Sequence, residues 1–168
     1  MPIERTPWID DDGSGTKGTV LNNAEKMLLY DQIDAAIAAI GLWQATPFNA
    51  ADYTASPGMA WSVAAGNVAY NRYSVIGKTL TWLVYIEAAA LAGTPGNQLF
   101  VKLPPGLSGE YKRGVATTGQ LYDGSSHRGW VRVNLDGLSV IVEQDPVQNF
   151  ALNSGLTYLQ FEIIIELN

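Results

Sequence analysis

At 168 residues, with 47% apolar and 15% charged side chains, the chain has material for one cored domain plus a short extension, and is too apolar to stay disordered. A formal charge of −6 argues against nucleic acid as a partner, because the ten basic residues are scattered and offer no face that would neutralise phosphates. Without cysteine there are no disulfides, thiolate metal sites or cysteine nucleophiles.

Residues 1–22 are polar and glycine-rich, lack periodicity, and read as an extended arm. Glu4, Asp10, Asp11 and Asp12 with no apolar run are not a signal peptide. Within the arm lies "DDDGSGTKGTV". A phosphate-binding loop needs G-x-x-x-x-G-K-S/T between a buried strand and a helix, but here Lys17 precedes Gly18 and no core strand stands in front. An EF-hand loop needs a closing acid, which is missing after Asp10 and Asp12. Calcium loops of other kinds stay open as the minor alternative, and the default reading is a solvated connector whose glycines let backbone thread close to a neighbouring surface.

Residues 23–41 read as a helix. Asn22 suits the N-cap with Glu25 three residues on, and Gly41 suits a left-handed C-cap. Leu29, Ile33, Ala36 and Ile40 recur at spacings of four, three and four with Ile37 beside them, the seam of a short coiled coil. Lys26, Asp31 and Gln32 face away. A helix of this length is marginal alone, so the stripe must be buried on its own domain or on copies of itself. The position of the helix between an arm and a domain favours copies.

From residue 42 onward the chain reads as strand and turn. "GMAWSVAAG" sets Met59, Trp61 and Val63 on one face; "RYSVIGKTLTWLVYIEA" reads as one long strand stretch with Leu80, Trp82, Val84 and Ile86 inward; "NQLFVKLPPG" sets Leu99, Val101 and Leu103 inward. In "RGWVRVNLDGLSVIVEQ", Asp136-Gly137 predicts a two-residue type I′ hairpin pairing Leu135 with Leu138, Val133 with Val140 and Val131 with Val142, all on one face. "GLTYLQFEIIIELN" alternates Leu159, Phe161, Ile163, Ile165 and Leu167 with Tyr158, Gln160, Glu162, Ile164 and Glu166. Short strands with glycine and proline turns predict a mainly β fold, an antiparallel sandwich or jelly roll, with a closed barrel as the alternative. The most apolar run, Leu80 to Ala92, is short and interrupted by Glu87, so no membrane insertion is expected.

Chemistry-bearing residues are sparse. His127 is the single histidine, in a polar turn beside Ser125 and Ser126, and no G-x-S-x-G elbow accompanies it. The acids Glu87, Glu110, Glu143 and Asp145 have no context that makes them a glycosidase pair, and Glu162 and Glu166 read as a solvated face. One histidine and no cysteine make a transition-metal site improbable. Of five tryptophans, Trp61 and Trp82 are in phase with the core; Tyr70 and Tyr73 near Arg72, with Tyr111 and Tyr122 near loops, are candidates to stack on sugars. Catalytic, cofactor and metal sites are therefore all expected to be absent, and the chain is expected not to be an enzyme.

The segment "TPWIDDDGSGTKGTVLNNAEKMLLYDQIDAAI" resembles the attachment segment that opens many bacteriophage virion proteins, where D-[DG]-G-[ST]-G-T-x-G-T-x-x-N leads into a short helix. "PFNAADYTASPGMAWSVAAGNVAYNRYSVIGKTLTW" and "AGTPGNQLFVKLPPG" resemble a β-sandwich domain of phage tail-fibre and related appendage proteins. The likeness covers about residues 6 to 105. It implies a non-enzymatic virion component, a short trimeric fibre, spike, head fibre or capsid decoration protein assembled in the bacterial cytoplasm. Trp8, Asp12, Gly13, Gly15, Thr16, Gly18 and Thr19 would dock on another tail, portal-proximal or capsid protein. Leu29, Ile33, Ala36, Ile37 and Ile40 would hold the copies together. The rival expectations are a module that recognises a host surface glycan and, more remotely, a glycan-cleaving enzyme.

Overall fold

The computed structural model describes residues 23–111, 117–145 and 147–168. The arm, with Trp8, Asp12, Gly13, Gly15, Thr16, Gly18, Thr19 and the N-cap Asn22, lies outside them. The chain divides into two units after Ile40.

The first contains helix α1 (Asn23–Ala39). Its last turn closes with the Ile40 amide donating to the Ile37 carbonyl at 3.2 Å, and Gly41 follows at φ +74°. Only glycine adopts that left-handed conformation without a Cβ clash, which is why the helix stops there.

Among its described residues the second unit holds ten strands: β1 (Gln44–Ala45), β2 (Tyr53–Ala55), β3 (Met59–Ser62), β4 (Val68–Ile76), β5 (Thr79–Gly93), β6 (Leu99–Lys102), β7 (Thr117–Tyr122), β8 (Ser126–Val133), β9 (Ser139–Asp145) and β10 (Asn153–Glu166). They form one antiparallel sheet in the order β1-β4-β5-β10-β7-β8-β9-β6-β2, with β3 pairing the far end of β5. The sheet curls over its own core: β3 sits off the path on β5, six strands from β2 at its end, yet the Tyr53 and Trp61 rings meet edge to face at 5.7 Å. The fold is thus mainly β, antiparallel and sandwich-like.

Alternation explains the core. Met59, Trp61 and Val63, then Leu80, Trp82, Val84 and Ile86, then Leu99, Val101 and Leu103, and finally Leu159, Phe161, Ile163 and Ile165 are all buried. Trp82 meets Phe161 edge to face at 5.6 Å. Its indole Nε1 donates to Asn71 Oδ1 at 2.7 Å, and Asn71 Nδ2 donates to the Tyr53 hydroxyl at 3.2 Å, so the polar tips of the two buried rings are satisfied by one amide.

Two expectations are corrected. The stretch read as one long strand is a hairpin: Ile76 pairs with Thr79, and Gly77 at φ +60° makes the turn with Lys78. At residues 134–139 the predicted register survives, with Val133 opposite Val140 and Val131 opposite Val142, but the turn is not type I′. Such a turn needs positive φ at both central residues, and among the described residues Ala88 is the only non-glycine with positive φ. Instead a four-residue loop closes between the Asn134 amide and the Ser139 carbonyl at 2.8 Å. Asn134 Oδ1 and Asp136 Oδ1 accept from the Leu135 and Leu138 amides, each at 2.8 Å. The Leu103 and Gly109 amides donate to the Leu138 and Gly137 carbonyls at 2.9 and 2.8 Å. With its backbone captured on all sides, the loop turns Leu135 and Leu138 out, 75% and 56% exposed.

Candidate functional site

The outward face of the sheet carries the most developed constellation. Because β10 lies between β5 and β7, its solvent-facing residues meet theirs across the ladder: Gln160 is opposite Tyr85 on one side and Gln120 on the other, and Tyr158 is opposite Tyr122. Tyr85 in turn is opposite Tyr70 on β4. The Tyr70 and Tyr85 rings lie 5.5 Å apart and tilted; those of Tyr122 and Tyr158 meet edge to face at 5.9 Å. Gln160 Nε2 donates to the Tyr70 hydroxyl at 3.0 Å, which fixes the amide. Arg72 lies over the Tyr70 ring at 5.5 Å and the Trp43 ring at 5.1 Å.

Backbone irregularities bend the sheet beside these rings. The β10–β5 register shifts between Thr157–Ala89 and Leu159–Ile86, and β4 shifts between Val68 and Tyr70. Ala88 stands at φ 52°, and its carbonyl accepts from Asn67 Nδ2 at 3.1 Å. Bulges of this kind increase local twist and re-aim side chains. Two adjoining hollows of about 490 and 390 Å³ open on this face and share Gln120, His127 and Gln160. Thr118, Arg128 and Glu162 line the first, and Tyr85, Tyr122 and Tyr158 the second. The Tyr85 hydroxyl is held above the usual tyrosine pKa, first by its hydrogen bond to Glu87 and then by burial, so it stays a neutral donor.

At one end of the core a buried carboxylate organises three segments. Asp123 is 3% exposed; its Oδ2 accepts from Gln144 Nε2 and from the Ala151 amide, both at 2.7 Å, and its Oδ1 lies 3.1 Å from His127 Nε2. Asn153 Oδ1 accepts from the buried Thr157 hydroxyl at 3.1 Å, extending the network into β10. His127, expected in a turn, lies in β8 and is explained as a partner of this carboxylate. The arrangement ties the β7–β8 turn, β9 and the approach to β10 together.

The other sequence candidates scatter. Glu143 accepts from Gln98 Nε2 at 2.7 Å and pairs with Arg132 at 3.4 Å, while Glu87 is engaged by Tyr85. The side chain of Asp145 lies outside the described residues. The Tyr73 hydroxyl donates to Gln44 Oε1 at 3.1 Å, away from the hollows. Among the described residues no three His, Asp or Glu side chains gather as a metal site, and no helix is long and apolar enough to cross a membrane. On α1, Leu29, Ile33 and Ile37 are exposed, as is Ile40 just past its end, and so are Met27, Leu28 and Tyr30, which makes the apolar surface broader than a single seam; the side chain of Ala36 lies outside the described residues.

Sequence reasoning singled out Tyr70 and Tyr122 but not Tyr85, Tyr158, Gln120 or Gln160 as a group. Their union depends on β10 sitting between β5 and β7, an order that alternation along each strand does not encode. No protein-family model matches the chain, and no curated protein or solved structure is significantly similar to it.

Proposed function

We propose that the chain is a structural protein of a bacteriophage virion: a short oligomeric fibre, spike or decoration protein, most simply a trimer, fastened by its N-terminal arm. The observation that carries this reading is the apolar surface of α1. Met27, Leu28, Leu29, Ile33 and Ile37 are exposed on a helix of 17 residues, about 25 Å long, and Ile40 just past its end is exposed too. A surface that apolar is stable in water only when covered. In a bundle of three, each helix has two neighbours, so Met27 and Leu28 are covered as well as Leu29, Ile33, Ile37 and Ile40. The arm ahead of the helix supports attachment through its resemblance to phage attachment segments, and a segment of that composition binds by ordering against a larger surface.

Native mass spectrometry of the full chain tests the reading. A trimer is expected, and the combined change Leu29→Asp, Ile33→Asp, Ile37→Asp should give monomers whose β-sheet circular dichroism is unchanged. Removing residues 1–22 should leave the trimer intact and abolish incorporation into particles. A wild-type chain that is monomeric at micromolar concentration, or particles that take up the truncated chain, would refute it.

A further inference from the structure

We propose that the tyrosine–glutamine hollow on the outward face of the β5-β10-β7-β8 sheet, with Tyr70 of β4 at its rim through Gln160, binds a neutral oligosaccharide. The inference is independent of how many copies assemble, since every residue in it belongs to one β unit.

Its shape comes first. Tyr70, Tyr85, Gln160 and Gln120 stand on four successive strands in one row across the ladder, a span of about 14 Å at the usual strand spacing. Tyr158 and Tyr122 form a second row beside it. The adjoining hollows are of the size that small-molecule sites have, and they share Gln120, His127 and Gln160, so two in succession suit a chain of linked units more than a single enclosed molecule.

The chemistry narrows the class. Aromatic rings offer flat apolar contact with a polar edge. Glutamine amides and tyrosine hydroxyls each both donate and accept. A ligand that answers both at short, regular intervals carries C–H faces alternating with hydroxyl groups, which is the make-up of a pyranose chain. The hollow is also partly set in advance, because Gln160 is already held by the Tyr70 hydroxyl and Tyr85 is held through Glu87.

Charge decides against the rivals. The lining holds one cation, Arg128, and one carboxylate, Glu162, so it selects neither sign, and the chain's charge of −6 repels acidic polymers. A proline-rich peptide also docks in aromatic-lined grooves, but there it seats proline rings in apolar slots. Here Gln120 and Gln160 occupy the middle of the floor, and their amides would lose water without gaining partners.

The test uses the full chain and saturation-transfer NMR. The probes are maltoheptaose, cellohexaose, chitohexaose and a set of neutral bacterial polysaccharides, with decaproline and polyglutamate as rivals. Saturation transfer to at least one saccharide is expected. Titration should show its affinity reduced tenfold or more by Tyr85→Ala and by Gln160→Glu, the latter nearly isosteric so that the fold is kept. Ile76→Ala, on the same face but outside the hollow, should leave affinity unchanged. The proposal is overturned if no saccharide binds, if binding survives both changes, or if decaproline or polyglutamate binds in preference.

Discussion

Replacing Asp123 tests whether the buried carboxylate clamps the end of the sheet. In Asp123→Ala, Gln144 Nε2 and the Ala151 amide both lose an acceptor 2.7 Å away. Gln144 is 1% exposed, so water cannot replace the bond, and an orphaned buried donor costs about 1–3 kcal/mol. Ala151 is exposed, so its amide can turn to water and adds at most about 1 kcal/mol. The expected loss is therefore about 1–4 kcal/mol. With a urea slope of about 2 kcal/mol per molar, the midpoint falls by about 0.5–2 M. Asp123→Asn should cost less, about 1 kcal/mol. Its oxygen can still receive both donors while its amide faces His127 Nε2, and what is lost is the charge assistance. Urea unfolding followed by tryptophan fluorescence reads both variants. A double-mutant cycle with Gln144→Leu should show about 1–2 kcal/mol of coupling. If Asp123→Ala shifts stability by no more than about 0.5 kcal/mol, as an ordinary surface change does, the carboxylate is not a clamp.

Two further outcomes follow from residues already placed. Leu135→Ser and Leu138→Ser, singly or together, should change stability by less than about 0.5 kcal/mol because both side chains face water; a loss of about 2 kcal/mol or more by urea titration would mean that they are packed inward after all. Burial, with a smaller contribution from the Asp52 charge and opposed by the Asn71 hydrogen bond, raises the Tyr53 pKa above its unfolded value near 10. The folded state therefore keeps a proton that the unfolded state sheds: this contribution is intact below about pH 10 and is lost as pH climbs through the folded value. Between pH 10 and 12, Tyr53→Phe should lose stability less steeply than the wild type, and equal slopes would refute the assignment.

The sequence carried more of the fold than of the site. Period-two alternation named the inward residues of β3, β5, β6 and β10 because each strand buries one face and wets the other. It missed β7, whose "TTGQLY" contains one buried apolar side chain, Leu121, and a glycine pressed against its neighbours: a Cβ on Gly119 would stand 2.7 Å from the Gln160 carbonyl. It also missed the turn at Gly77-Lys78, since the apolar pattern runs straight through it. The loop at 134–139 was misread for a different reason: Asp-Gly favours a tight turn locally, but contacts from Leu103 and Gly109, more than 25 residues away in the chain, capture the backbone first. The tyrosine row was hidden because its members come from strands up to 90 positions apart, and only the order of the sheet brings them side by side.

The position of β10 has a consequence for synthesis. This strand, synthesised after β5 and β7, is flanked by both, and its longest ladder joins it to β5, made some 80 residues earlier. While the ribosome is still translating, β5 and β7 must wait with their edges open, and the emerging polypeptide is most prone to aggregate in that interval. The keystone arrives after the arch around it, so a premature stop codon anywhere before residue 153 should leave the cell with insoluble product instead of a smaller folded protein.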